Sequence, residues 1–315
     1  MSEGQGRVTL WGVEVFLAVA EEGAISAAAK RLGASPSAIS QQLTGIEAAL
    51  GAQLLDRSAR PMTLTPAGAM FRGHAQTILN AEAEARAALA MADLSGLTTL
   101  RIGMIEDFDA EVTPLLLNGL SDALKGCRFL LETGASHRLQ DLLEARALDI
   151  VVTADAGSPS GDESWRETHP ILAEPFLAVT PRHRAIGDMP LIQYTARHLM
   201  GRQIALHLAR LNLRPAHRFE LDSYHAILAM VAGGAGWTIL PPLALHHAAR
   251  FRDQVDVAPL PFEPLSRTLS LSARAGVLHD MPGQIAERLR GLVAARVVAP
   301  ALAEWPWLAG SLRVL

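Results

Sequence analysis

The sequence predicts an α/β protein in three parts: a small helical head with a helix-turn-helix and a wing, a long connecting helix, and two α/β subdomains. Three observations predict it. Apolar residues recur at helical spacing through residues 13–50 and are punctuated by glycines. A capped stretch from residue 66 meets nothing that ends a helix before Ser95 and Gly96. From Leu100 onward short apolar runs alternate with helix-length segments, and the alternation restarts once.

Composition agrees with several domains. The chain has 315 residues, half of them hydrophobic and 19% charged, with a mean hydropathy of +0.20. That much apolar material excludes disorder. The net charge of −4 excludes a chain that attracts nucleic acid as a whole, so polyanion binding needs a local patch. The single cysteine, Cys127, excludes an intrachain disulfide framework and a multi-cysteine zinc site. It opens the apolar run CRFLLE and reads as a buried strand thiol. The N-terminus lacks the basic and apolar regions of a signal peptide. The uncharged stretch Ala226–Leu245 is broken by Gly233, Gly234 and Gly236 and closed by Pro241 and Pro242. It reads as a buried helix, a turn and a strand, and the expectation is a soluble cytoplasmic protein without a membrane span.

In the head, residues 13–20 form a helix ending near Gly23, and a short helix runs from Ser26 to Leu32. Gly33 stops it, and Ser35 caps a third helix with Pro36 at its first position. Ile39, Leu43, Ile46 and Leu50 make one buried stripe; Ser37, Ser40, Gln41 and Thr44 form the opposite face. Such a nearly uncharged polar face suits base edges, which are read by hydrogen bonds. A solvated helix in a small bundle is the alternative. The segment GAQLLDRSARPMTLTPAG then places two extended runs around a turn flanked by Arg57 and Arg60, the pattern of a wing. Across residues 25–75 the cations Lys30, Arg31, Arg57, Arg60 and Arg72 outnumber the acids Glu47 and Asp56, a modest basic patch.

The stretch FLAVAEEGAISAAAKRLGASPSAISQQLTGIEAALGAQLLDRSARPMTLTPAG closely resembles the N-terminal winged helix-turn-helix of LysR-type transcriptional regulators. The matching elements are EEGAISAAAKRL, SPSAISQQL with its following IE, LGAQLLDR and LTPAG. The resemblance places Ser35, Pro36, Ser37, Ser40 and Gln41 at the groove-facing start of the recognition helix and Arg57 and Arg60 in the wing. Many relatives carry a basic residue where this chain has Gln41, so a base preference does not carry over. Thr44, Lys30 and Arg31 complete the expected DNA-binding set. The implied partners are double-stranded promoter DNA, a small-molecule effector, further copies of the chain in a dimer or tetramer, and RNA polymerase.

Thr65 and Pro66 cap the long helix of residues 66–95, a rod of about 43 Å at ~1.5 Å per residue. Phe71, Ala75, Ile78, Glu82, Ala85, Leu89 and Ala92 alternate in steps of four and three, a heptad seam. We expect dimerisation through Phe71, Ala75, Ile78, Ala85 and Leu89; packing on the helix's own domain is the alternative.

Residues 98–300 then form the effector-binding part. Subdomain I covers about 98–180 and 265–300, subdomain II about 181–264, and a tail follows at 301–315. The resemblance implies two periplasmic-binding-protein-like halves around an effector cleft, with MVAGGAGWTILP adding support. Ligands in such sheets sit beyond the carboxyl ends of strands, which nominates Glu106, Asp107, Ala135, Ser136, Thr153, Asp155, Gln193, Tyr194, Asp222 and Ser223. The acids among them point to a cationic or zwitterionic effector, an amine or amino acid. No GxSxG, GxxxxGK[ST] or HExxH motif occurs, and the scattered histidines suggest no metal; no cofactor is expected. A cytoplasmic small-molecule-binding protein or an α/β enzyme is the competing class. The tail could dock on its own domain or on a neighbour.

Overall fold

The structure, a computed structural model, describes residues 7–90, 97–109, 111–155, 164–187 and 189–315, with only the backbone described for residues 83, 84 and 86–90. Two compact units emerge, one made essentially of the residues before Leu97 and the other spanning Leu97–Glu144 and Leu148–Leu315.

The first unit runs α1 (Leu10–Glu22), α2 (Ile25–Leu32), α3 (Pro36–Leu50), β1 (Leu55–Asp56), β2 (Thr63–Leu64) and α4 (Pro66–Ala90). Gly33 closes α2 at φ +64°, a left-handed turn that lets the chain double back into α3 without a Cβ penalty. Ser35 caps α3 as expected, its Oγ accepting from the Ala38 amide at 3.2 Å. Val13, Phe16, Leu43 and Ile46 form a common core with Leu54 and Leu55 of the wing. The antiparallel pair β1–β2 is that wing.

α4 corrects the expected seam. Phe71 packs on Phe16 with ring centroids 5.3 Å apart, and Ala75 is fully buried in the same core. Both sides of the heptad cannot be served at once: a helix that covers α1 spends its first two turns on its own unit. Ile78 and Ala85 are exposed. The side chain of Leu89 and the helix end expected at 91–95 lie outside the described residues. The start of α4 needs Gly68, where a Cβ would stand 1.9 Å from the Leu54 carbonyl oxygen.

In the second unit, chain order is β3 (Thr99–Met104), α5 (Val112–Ala123), β4 (Arg128–Thr133), α6 (Ser136–Glu144), β5 (Ile150–Ala154), β6 (Arg166–Pro175), β7 (Leu177–Pro181), β8 (Leu191–Tyr194), α7 (Leu199–Arg210), β9 (His217–Leu221), α8 (Tyr224–Ala232), β10 (Thr238–Leu240), α9 (Pro242–His247), β11 (Val255–Pro259), β12 (Ser266–Arg274), α10 (Met281–Val293), α11 (Ala299–Glu304) and β13 (Arg313–Val314). Half I is a six-stranded sheet in the order β13-β6-β12-β5-β3-β4. Its β4-β3-β5 part is parallel, as right-handed βαβ units require, and β12 returns antiparallel to β5. Half II pairs β10 and β11 with β7 and carries the parallel pair β8–β9. The expected boundary near 180 moves to Phe176, because β7 pairs wholly within half II.

The tail is part of half I. β13 pairs antiparallel with β6, Leu308 and Leu312 are buried, and the Arg252 guanidinium lies 4.9 Å over the Trp305 ring while also pairing with Glu304. Docking the tail covers β6, which would otherwise be an open sheet edge. Among the described residues no helix is long and apolar enough to cross a membrane.

Candidate DNA interface and effector cleft

The core stripe of α3 turns its other side to water, where Ser37, Gln41, Thr44 and Gly45 are exposed and Ser40 is half-buried. Ser35 and Ser37 hydroxyls lie 3.0 Å apart, and the Thr44 hydroxyl donates back to the Ser40 carbonyl at 3.0 Å. Gln41 thus keeps the longest polar group on this face, with no side-chain bond to hold it among the described residues. That is what base readout asks of a side chain.

The cations divide into two kinds. Arg31 is paired with Glu21 at 2.5 Å and Glu22 at 3.3 Å, and the Glu21 bond holds its guanidinium above its usual range. Arg57 donates to Glu47 Oε2 at 2.6 Å and to Thr44 at 3.3 Å. Glu47 Oε1 also accepts from the Leu54 and Leu55 amides at 2.9 and 3.3 Å, so this carboxylate ties the wing to α3. Lys30 and Arg60 are exposed and have no acidic partner among the described residues; Arg60 donates only to the carbonyls of Arg57 and Ala59.

Between the halves of the second unit lies a small cleft of about 50 Å³, lined among others by Glu106, Asp107, Ala135, Ser136 and Tyr194 from the expected set. The structure does not bring in the other five. Thr153 is buried and receives the Gln140 amide at 3.2 Å. Asp155 accepts from the Ser270 hydroxyl at 3.0 Å. Gln193 lines a separate depression on half II beside Leu208 and His217. Asp222 is exposed, 3.6 Å from Arg197, and Ser223 serves as the N-cap of α8. The physical reason for the last two is strand order: β9 lies at the outside of its pair, exposed over most of its length.

Sequence reasoning missed His198, Met200, Tyr224 and Arg267, which also line the cleft. Arg267 is the decisive omission. Its side chain is 4% exposed and donates from Nη2 to Asp107 at 2.6 Å and from Nε to Glu174 at 2.8 Å. Burial works against its charge, but Glu174 and Asp107 more than offset this and keep it protonated. Burial raises the Glu174 carboxyl, opposed by Arg267. The Tyr224 hydroxyl donates to the other Asp107 oxygen at 3.0 Å. Both Asp107 oxygens are therefore engaged, and Asp107 is not the free anion that the sequence suggested; Asp155 is not among the residues lining the cleft. Exposed Glu106 remains. Two helix starts, α6 at Ser136 and α7 at Leu199, line the same cleft from opposite halves, and the partial positive charge of a helix start favours negative charge. Burial raises the Tyr194 hydroxyl and lowers His198, leaving both neutral at pH 7; they lie 3.2 Å apart. Among the described residues no cluster could hold a metal ion.

Comparison with known proteins assigns a family to both regions of the chain. Residues 10–69 match the family described as bacterial regulatory helix-turn-helix protein, lysR family, and residues 95–282 match the LysR substrate binding domain. A probable hydrogen peroxide-inducible genes activator from Mycobacterium avium is 32% identical over 75% of this chain and 79% of its own length. Among solved structures, a full-length OxyR variant from Pseudomonas aeruginosa superposes with a TM-score of 0.66 at 24% identity, covering 90% of this chain and 95% of that one. Full-length CbnR, solved in complex with its target DNA, gives 0.60 at 21% identity, covering 90% and 100%.

Proposed function

Because the chain belongs to the LysR family of bacterial transcriptional regulators, we propose that its α3 reads promoter DNA and that its C-terminal cleft holds a small zwitterion of the amino-acid type. Ser37, Gln41 and Thr44 are the base readers; Lys30 and Arg60 meet phosphate, with Arg57 holding the wing in place. Ile78 and Ala85 belong to the face of α4 that a second copy would cover, since two-fold DNA sites call for a dimer.

One observation carries the effector reading. With both Asp107 oxygens engaged by Arg267 and Tyr224, the cleft pairs an exposed acid, Glu106, with the electropositive starts of α6 and α7. An ammonium suits the first and a carboxylate the second. A purely cationic amine or a purely anionic acid satisfies only one. The cleft is far smaller than the several hundred Å³ of a drug-sized site, which favours a ligand of few atoms or a cleft that opens to admit one. Oxidation of a thiol pair is a poor fit: this chain has one cysteine, outside the cleft lining, with its thiol raised by burial.

Footprinting of the purified protein on DNA upstream of its own gene, or on DNA from a random-sequence selection, tests the first half; failure on both defeats it. Calorimetry with the common amino acids, their decarboxylated amines and their deaminated acids tests the second. We expect binding only to one or more amino acids, weakened several-fold by Glu106→Gln. Binding of an acid alone, untouched by Glu106→Gln, overturns the zwitterion reading.

A further inference from the structure

The chain passes between the two halves twice, from β6 into β7 at Phe176 and from β11 back to β12, and the buried charges of the cleft floor sit at these crossings. Glu174 near the end of β6 and Arg267 near the start of β12 are register partners and bond through their side chains at 2.8 Å. Half I adds Asp107, on Arg267 at 2.6 Å. Half II adds the Tyr224 hydroxyl on Asp107 at 3.0 Å, the Leu243 amide on Glu174 at 3.1 Å and the Met200 sulfur near Arg267 at 3.7 Å. Glu174, Asp107, Arg267 and Tyr224 are all buried. In that low dielectric a carboxylate stripped of one donor is costly, so each bond holds its two elements to one spacing.

We infer that Tyr224 is the positioning residue that sets the closure of the two halves, acting through Asp107 on the Arg267–Glu174 pair at the hinge. Of these contacts it is the one that joins a side chain of the cleft wall in half II to half I by a charge-assisted bond. Its ring also stacks on Tyr194, centroids 5.3 Å apart, the other of the chain's two tyrosines and itself part of the cleft lining. A ligand that displaces Tyr194 therefore presses on the residue that holds the halves together. Only this last link rests on the cleft being the effector site.

The test reads closure with neither effector nor DNA, so its failure is separate from failure of the effector reading. Two exposed positions, Lys125 on half I and Arg218 on half II, are changed to cysteine and spin-labelled in full-length Cys127→Ser protein, diluted into unlabelled chain. We expect a defined distance in the parent. Tyr224→Phe shifts or broadens it, Asp107→Ala does so at least as far because it also removes the Arg267 bond, and the double variant goes no further than Asp107→Ala. Thr238→Val is the control: it also removes a buried hydroxyl, which donates to Ile192 within half II alone, and should leave the distance unchanged. Thermal melts confirm that each variant folds. A parental distance in Tyr224→Phe, additive shifts with Asp107→Ala, or the same shift in Thr238→Val each overturns the assignment.

Discussion

The helix-turn-helix head and the cleft between the two halves treat polar groups in opposite ways. On α3 and around it, Ser37, Gln41, Lys30 and Arg60 stand in water, and Arg31 shares its charge with two exposed acids. At the floor of the cleft, Asp107, Glu174 and Arg267 are 4% exposed or less and each is committed to two partners. Exposed pairs contribute about 0–1 kcal/mol and exchange readily. A buried cluster adds little over an apolar substitute, yet losing one member leaves the others uncompensated. The head is therefore free to trade its partners for phosphate and bases, whereas the cleft floor holds a single geometry that a ligand must work against.

The sharpest way to break this contrast is Arg267→Met. It strands two buried carboxylates and should destabilise the second unit by about 3–5 kcal/mol. Arg31→Met, which removes an exposed pair, should cost the first unit about 1 kcal/mol or less. Hydrogen exchange under native conditions reads the units separately. Equal loss of protection in both units after Arg267→Met would mean that the comparison is drawn between the wrong parts.

Within the head the contrast sharpens between readers and anchors. Gln41→Ala should cost about 1–3 kcal/mol at the cognate site and relax selectivity there, while Arg60→Ala should weaken all sequences alike and reduce the salt slope by about 1. Titrations on selected and scrambled DNA at several salt concentrations separate the two. Uniform losses in both variants would reverse the assignment of roles.

The cleft has its own smaller signature in pH. Burial lowers the folded pKa of His198, His137 and Arg197 push the same way, and Asp222 and Glu106 oppose. The unfolded chain then takes up its proton first as pH falls. Stability from this group is full above about pH 6.5 and declines below it, through the folded pKa. His225 shifts in the same direction, by burial and by His247 and Arg250. Thermal midpoints between pH 7.5 and 5 should fall less steeply in His198→Asn, and less steeply still with His225→Asn added; unchanged slopes would contradict the lowering of these two half-buried rings.

What could be read from the sequence follows the range of the interactions. The head was legible because its signals are local: Gly33 then Ser35-Pro36, and a stripe from Ile39 to Ile46, fall within a single turn or helix. The strands and helices of the second unit were legible for the same reason. The cleft was half-legible. Ser136 and Tyr194 stand at strand ends, which alternation locates, but Arg267 meets Asp107 across 160 positions of sequence, and nothing near either residue announces the other. Separation along the chain likewise hid the use of Phe71 and Ala75 against Phe16, because a heptad shows that a helix has an apolar face and not which surface covers it.

The smallest effect asks whether the open face of α3 is shaped for a partner. Gly45 is exposed in mid-helix, four residues after Gln41, and a Cβ there would meet nothing within 4 Å. Within the chain, glycine at this position is a pure cost, so Gly45→Ala should raise the stability of the head by about 0.5–1 kcal/mol. If the face lies in a groove, the added methyl fills space that DNA occupies, and affinity for the cognate site should drop although the protein is more stable. Unfolding curves and DNA titrations on the same preparation give both signs. A gain in stability with unchanged affinity would place Gly45 outside the contact and narrow the reading face to Ser37, Gln41 and Thr44.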